Sequence, residues 1–131
     1  MIETNETSDL WGDIVTNPIR TPLTILKEQG ALLERKTNGI LTIHIESNSN
    51  STTFTHIVYL HSASLNYSYF LLGISHPIEI YPLILEYDSE KSRERIQASE
   101  ETEFINILRQ VFQSPKTQKV INALLSQSTV A

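Results

Sequence analysis

Two neighbouring runs of apolar residues place the strongest constraint on how this chain folds. The runs extend from Tyr67 to Ile74 and from Ile80 to Tyr87, and both are rich in the aromatic and branched side chains that favour β-strands. Between them lies Ser75 to Glu79, which is short enough for a hairpin loop. Because successive side chains on a strand point to opposite faces, each run presents apolar groups on both faces. A sheet that contains them therefore needs cover on both sides, from its own helices, another chain or a ligand.

A helix is predicted before these runs, over about Pro22 to Thr37. Thr21 followed by Pro22 is typical of a helix start, since threonine caps the first turn and proline suits its first position. An apolar stripe follows at helical spacing, with Gly30 in its middle. Glycine inside a helix costs about 1 kcal/mol relative to alanine. Its presence predicts that another element packs closely against this helix.

Two further strands are predicted between the helix and the apolar runs. Apolar and polar residues alternate from Ile40 to Glu46, a polar tract follows, and Phe54 to His61 returns as a second strand. Pro82 cannot donate a backbone hydrogen bond, so the run that contains it is predicted to be an edge strand. The mixed-charge segment from Asp88 to Ala98 has one large apolar residue and is predicted to be a solvated loop or a frayed helical turn.

The predicted fold class is α+β. Ser99 and Ser114-Pro115 predict the starts of two C-terminal helices. The order is then an N-terminal helix, a four-stranded antiparallel meander and two C-terminal helices (α-β-β-β-β-α-α), with every connection between strands short. Zero cysteines exclude disulfides and cysteine-based zinc sites.

The length of 131 residues indicates one domain, which we place at residues 18–131, preceded by a flexible acidic arm at residues 1–17. The arm is expected to dock on its own domain or, alternatively, to bind a partner. A small apolar patch in the arm consists of Leu10, Trp11, Ile14 and Val15.

Charge and hydropathy narrow the classes of partner and the location. The net charge of −5 makes nucleic acid an unlikely partner, because phosphate binding needs a concentrated basic surface. No apolar run approaches the ~20 residues that span a bilayer, and the N-terminus is polar, unlike a signal peptide. The expected location is therefore cytoplasmic, with no membrane partner.

The four histidines are candidate metal ligands or general bases, because imidazole serves in both roles near neutral pH. None of them has the spacing of a known metal motif. The pair His44 and His56 would share a face only in one of the two possible hairpin registers. The four are His44, His56, His61 and His76.

Catalytic motifs are otherwise weak. An acidic cluster with a nearby lysine resembles a magnesium-dependent nuclease, but the lysine comes too late in the sequence. The residues are Glu79, Glu86, Asp88 and Lys91. There is no nucleophile elbow and no glycine-rich phosphate loop. We therefore predict no catalytic residue, no metal ligand and no cofactor, and an enzyme is not favoured.

Tyrosines provide the best candidate site. Tyrosine combines a large apolar body with a polar tip and is enriched at the centres of protein interfaces. The predicted partner-binding residues, expected to share one side of the sheet, are Tyr59, Tyr69, Leu71, Tyr81, Leu83, Leu85 and Tyr87. The helices of the same chain could equally cover that side.

The leading functional hypothesis is a small cytoplasmic protein–protein interaction module. It would self-associate, most simply as a homodimer, or dock another protein through the tyrosine-rich side and the edge at Leu83 to Tyr87. The alternative is a small-molecule binder or a metal-dependent hydrolase with a pocket between the sheet and the first helix. Tyr69, Tyr81 and one histidine would line that pocket.

Overall fold

The computed structural model describes residues 7–15 and 19–130. Within these residues the chain forms three α-helices and five β-strands, which confirms the α+β class and corrects the predicted number of strands. In chain order the elements are α1 (Pro22–Lys36), β1 (Leu41–Ser49), β2 (Phe54–Ser62), β3 (Tyr67–His76), β4 (Leu83–Asp88), β5 (Arg93–Ala98), α2 (Glu101–Phe112) and α3 (Pro115–Ser128).

The fifth strand, β5, occupies the segment that was predicted to be a solvated loop. It pairs antiparallel with β4, from Leu83 opposite Ala98 to Asp88 opposite Arg93. Arg93 is bonded to Asp88 and Arg95 to Glu86, so the charges that suggested a loop instead join two strands. Cross-strand pairs of opposite charge stabilise a sheet. The prediction of a loop or a frayed helical turn is therefore wrong.

The sheet is a meander in the order β1-β2-β3-β4-β5, so β4 is an interior strand. The prediction that the strand with Pro82 forms an edge is wrong, because Pro82 lies just before β4 and takes no place in its ladder. The edges are β1 and β5.

A β-bulge in β3 changes which side chains share a face. Val58 lies opposite Leu72 and Tyr59 opposite Phe70, which leaves Leu71 as an extra residue on β3. Leu71 and Leu72 are both buried, at 4% and 0% exposure. An extra residue shifts the alternation of a strand by one position. The predicted alternation of this strand is therefore wrong beyond Phe70.

All three helices pack on one face of the sheet, which we call the inner face. α1 packs against β1, and α2 packs against β5 and α3. A Cβ atom on Gly30 would lie 3.2 Å from the Cβ atom of Ile43, which confirms the close packing predicted from that glycine. The core joins the helices to the inner face through the side chains of Ile25, Leu26, Leu41, Val58, Leu60, Leu71, Leu72, Ile74, Leu83, Leu85, Ala98, Phe104, Ile107, Leu108, Val111 and Leu124.

The opposite face of the sheet, which we call the outer face, carries no helix of the described chain. The strand pairings place its side chains in cross-strand rows. They are Thr42, His61 and Ser68; His44, Tyr59 and Phe70; Glu46, Ile57, Gly73, Glu86 and Arg95; Asn48, Thr55, Ser75, Ile84 and Gln97; and Asp88 with Arg93.

The described part of the N-terminal arm does not dock on the domain. Leu10, Trp11, Ile14 and Val15 are between 69% and 82% exposed. Of the predicted flexible arm at residues 1–17, positions 1–6, 16 and 17 lie outside the described residues. Among the helices that the structure describes, none has the length and apolar character required to cross a membrane.

Candidate functional site

The centre of the outer face is an apolar patch built on the middle strands of the sheet. Ile57 and Tyr59 project from β2, Phe70 from β3 and Ile84 from β4, and all four are partly exposed. The rings of Tyr59 and Phe70 meet edge to face with their centroids 6.4 Å apart, an arrangement that aromatic pairs prefer. The guanidinium carbon of Arg93 lies 4.8 Å from the centroid of the Phe70 ring. This cation–π contact extends the patch to the β5 edge.

Gly73 creates a hollow in this patch. It has no side chain, and Cε1 of the Phe70 ring would lie 3.9 Å from a Cβ atom placed there. A hollow of about 270 Å³ opens beside it, bordered by Ile57, Ile84 and Arg93 as well. A bulky side chain of a partner could therefore insert between these residues.

Charged groups border the patch at the β5 edge. Asp88 accepts a hydrogen bond from Nε of Arg93 at 2.5 Å. Glu86 accepts one from Nη1 of Arg95 at 3.1 Å and lies 3.9 Å from Nη1 of Arg93. These ion pairs are exposed, so each contributes little to stability.

Polar groups border the patch at the β1 edge as well. The hydroxyl of Tyr59 donates to Glu46 over 3.4 Å. His44 and His61 stack with ring centroids 4.1 Å apart, and Nδ1 of His61 is 2.9 Å from Oγ of Ser68. An apolar centre with a polar rim is the usual composition of a protein–protein interface.

The structure separates the seven predicted partner-binding residues between the two faces. Tyr59 lies on the outer face, whereas the other six belong to the inner side. Leu71, Leu83 and Leu85 are buried core residues at 4%, 0% and 0% exposure. Tyr69, Tyr81 and Tyr87 are half-buried and pack against the same core.

The prediction that these residues share one side is wrong, and the bulge at Leu71 is the main reason. It shifts the pairing by one residue, so Tyr59 lies opposite Phe70 instead of sharing a face with Tyr69. The predicted edge at Leu83 to Tyr87 is likewise occupied by β5. Phe70, Ile57 and Ile84 were missed as site residues, and only a correct register would have identified them.

The histidines form two separate pairs. His44 lies opposite Tyr59 and His56 opposite Ser47, so His44 and His56 are on different faces. On the inner face the rings of His56 and His76 are 5.5 Å apart. Oγ of Ser47 is 2.7 Å from Nδ1 of His56. Desolvation, and secondarily the charge of His76, lower the pKa of His56.

A metal centre finds no support among the described residues, where no three His, Asp or Glu side chains are grouped so that they could hold an ion. Glu86 and Asp88, which resembled part of a nuclease site, are paired with arginines. Lys91 lies in the turn between β4 and β5, where its backbone N–H donates to Ser89.

The helix side contains a pocket between the sheet and α1, which residues of α2 and α3 also line. We call it the helix-side cleft. Its volume is about 370 Å³, its floor is formed by Ile43, Leu60 and Leu71, and Leu32 and Ile121 contribute to its walls. Tyr69, Tyr81 and the histidines do not line it, so the predicted lining is wrong.

Tyr81 instead buries its hydroxyl against the core, where that oxygen has no hydrogen-bond partner among the described residues. Burial, followed by the charge of Glu101, raises the pKa of this hydroxyl.

Comparisons of the chain with protein-family models, curated proteins and solved structures gave no significant match.

Proposed function

We propose that this protein is a cytoplasmic protein–protein interaction module in which two copies associate through their outer faces. The observation that carries the proposal is the apolar patch of Ile57, Tyr59, Phe70 and Ile84 around the hollow at Gly73. No helix of the described chain covers it. The cytoplasmic part of the proposal rests on the sequence alone.

The chemistry of the patch suits a protein partner. Tyrosine, phenylalanine and arginine are the side chains that protein interfaces favour, and Phe70 already contacts both Tyr59 and Arg93. Contacts within the patch hold these side chains in place before association. The entropy lost on binding is then smaller than for freely rotating side chains.

The charges of the outer face favour a second copy as the partner. Glu46 at the β1 edge and Arg95 at the β5 edge lie at the two ends of one cross-strand row that passes through Gly73. A two-fold axis between two sheets, parallel to the strands, places β1 of one copy over β5 of the other. Glu46 of each copy then faces Arg95 of the other, while Phe70 meets Phe70 beside the axis.

The test is the solution mass of the purified protein and of an Ile84→Asp variant. We expect the native protein to be a dimer and the variant to be a folded monomer, because the aspartate places a charge in the centre of the patch. Ile78→Asp is the matched control, since Ile78 is 74% exposed in the loop between β3 and β4 and should leave the dimer intact. Light scattering gives the mass and circular dichroism confirms folding.

Charge exchange distinguishes this arrangement from other dimers. Glu46→Arg and Arg95→Glu should each weaken association, because each brings like charges together across the axis. The double variant Glu46→Arg/Arg95→Glu should restore it. A native protein that remains monomeric at high concentration, or a double variant no tighter than either single one, would rule out the proposed interface.

A further inference from the structure

We propose that the N-terminal arm binds the helix-side cleft of its own chain, as a second state of the molecule. This goes beyond association through the outer face, because it uses the opposite side of the sheet. The structure shows the arm away from the cleft. The apolar residues concerned are Leu10, Trp11, Ile14 and Val15 of the arm, together with Ile19 just after it.

The arm exposes an unusual amount of apolar surface. The five side chains lie within ten residues of one another and are between 66% and 82% exposed. Scattered apolar residues are normal on a protein surface, but a contiguous group of this size marks a binding segment. Removing apolar surface from water contributes roughly 25 cal/mol per Å². A suitable groove on the same chain would therefore attract the arm.

A groove begins where the arm joins the domain. Arg20 forms ion pairs with Glu28 of α1 and, at 3.2 Å, with Glu101 of α2, which fixes the chain between these two helices. Arg20 also lines a hollow of about 190 Å³ between α1 and α2. This hollow and the helix-side cleft share Gln29, Phe112 and Gln113. The two hollows therefore adjoin each other beside α1, and we refer to them together as the groove.

The length of the arm matches the groove. Leu33, in the wall of the cleft, lies eleven residues beyond Pro22 on α1, which is about 17 Å at the helical rise. Trp11 precedes Arg20 by nine residues, and an extended chain of that length spans about 30 Å. The indole ring can therefore reach the cleft without displacing the domain. The cleft volume of about 370 Å³ lies within the range of ~300–1,000 Å³ that accommodates small ligands.

Charge complementarity favours the arm over an arbitrary apolar segment. Among the described residues that line the groove, the charged ones are Arg20, Lys36 and Arg109. Arg20 is already paired with Glu28 and Glu101, so Lys36 and Arg109 supply the positive charge available to the arm. In the arm, Asp9 and Asp13 lie on either side of Trp11. Opposite charges at the rim of an interface fix its register and exclude other partners.

Trp11 is the only tryptophan in the chain, so its fluorescence reports directly on the arm. We expect Trp11 in the full chain to emit at shorter wavelength, and to be better shielded from acrylamide, than in a peptide of residues 7–19. Emission identical to that of the peptide would overturn the proposal. Loss of the blue shift on dilution would also overturn it, since the arm would then be occupying a second copy.

A matched pair of variants on α1 locates the binding site. Lys36→Glu places a negative charge at the cleft and should return Trp11 to the emission of the peptide. Lys27→Glu makes the same change on the same helix at a position that does not line the groove, and should have no effect. Thermal melts establish that both variants fold. Leu32→Glu is a second test, at a half-exposed position in the cleft wall. It should also return Trp11 to the emission of the peptide, and it avoids the end of α1, where Lys36→Glu can disturb the helix.

The result is separable from the outer-face proposal. Ile84→Asp changes the outer face and should leave the Trp11 emission unchanged, whereas Lys36→Glu should leave the solution mass unchanged. If the emission wavelength of Trp11 is the same in Lys36→Glu and Leu32→Glu as in the native chain, the arm does not bind in the cleft. A small apolar molecule retained in the native mass spectrum would identify a ligand as the occupant of the cleft. Either result would overturn the proposal.

Discussion

His56 shows how one buried residue couples the stability of this protein to pH. It is 7% exposed on the inner face, with His76 close by and Ser47 within hydrogen-bonding distance of its Nδ1. Burial disfavours the charged imidazolium and therefore lowers the pKa of His56 in the folded state. The unfolded chain, in which the ring is solvated, retains the ordinary histidine pKa of about 6.5.

We predict that the free energy of unfolding is highest above about pH 6.5 and decreases as the pH falls from there through the lower pKa of the folded state. In that interval the unfolded chain binds more protons than the folded one. Urea unfolding between neutral and acidic pH measures the slope. His56→Gln should make this slope shallower, because glutamine does not titrate. If the free energy of unfolding has the same pH dependence in the native protein and in His56→Gln, His56 is not the source of that dependence.

At the scale of elements, the junction of α1 with β1 depends on Gly30. A side chain there would press against the Cβ atom of Ile43 at 3.2 Å, and that atom cannot rotate away because it is attached to the strand backbone. The cost of glycine in the helix is thus accepted in exchange for close packing between helix and strand. Larger residues at this position must separate the two elements.

We predict that Gly30→Val destabilises the protein by about 1–3 kcal/mol, the usual cost of overpacking. Ala31→Val is the control, because Ala31 is the next residue of the same helix and is exposed. It should cost no more than the ~0.7 kcal/mol range of ordinary helix propensities. Chemical unfolding of both variants measures the difference. Equal losses for the two would show that packing against Ile43 is not limiting.

The helices could be predicted from sequence because their signals are local. The amide of Thr24 donates to the hydroxyl of Thr21 at 3.1 Å, and that of Thr117 to Ser114 at 3.2 Å, so both predicted caps are confirmed. The start of α2 was nearly correct, although Glu100 takes the cap position and the side chain of Glu103 accepts from the amide of Ser99.

The strands were harder to predict because their signals are distant in sequence. β5 has a single large apolar residue, and its arginines find their partners only across the sheet. The local marker of the bulge at Leu71 is Gly73, two residues later, which does not fix the position of the extra residue. One such irregularity moves every later side chain to the other face. The bulge places Tyr59 on the same face as Phe70 and Ile84, whereas the predicted set joined Tyr59 to Tyr69 and Leu83.

At the scale of the whole molecule, the covered and uncovered faces of the sheet divide neighbouring residues of β4 into different roles. Leu83 is 0% exposed beneath the helices, whereas Ile84, the next residue, points to the outer face. An aspartate at Leu83 therefore tests folding, whereas an aspartate at Ile84 tests association.

We predict that Leu83→Asp prevents stable folding, because an unpaired carboxylate in the core costs several kcal/mol, a large share of the stability of a small domain. Ile84→Asp should keep its circular dichroism spectrum and its cooperative melting transition. Comparing the melting curves of the two variants is sufficient. A Leu83→Asp protein that melts like the native one would mean that the helices do not cover this face as described.

The meander has a kinetic consequence. Each strand pairs with the strand next to it in the sequence, so the sheet can assemble hairpin by hairpin with little entropy lost in closing long loops. During synthesis, however, the sheet emerges before α2 and α3, and the apolar surface that they later cover has no shield until both have left the ribosome. That interval is when a nascent chain of this kind most needs a chaperone.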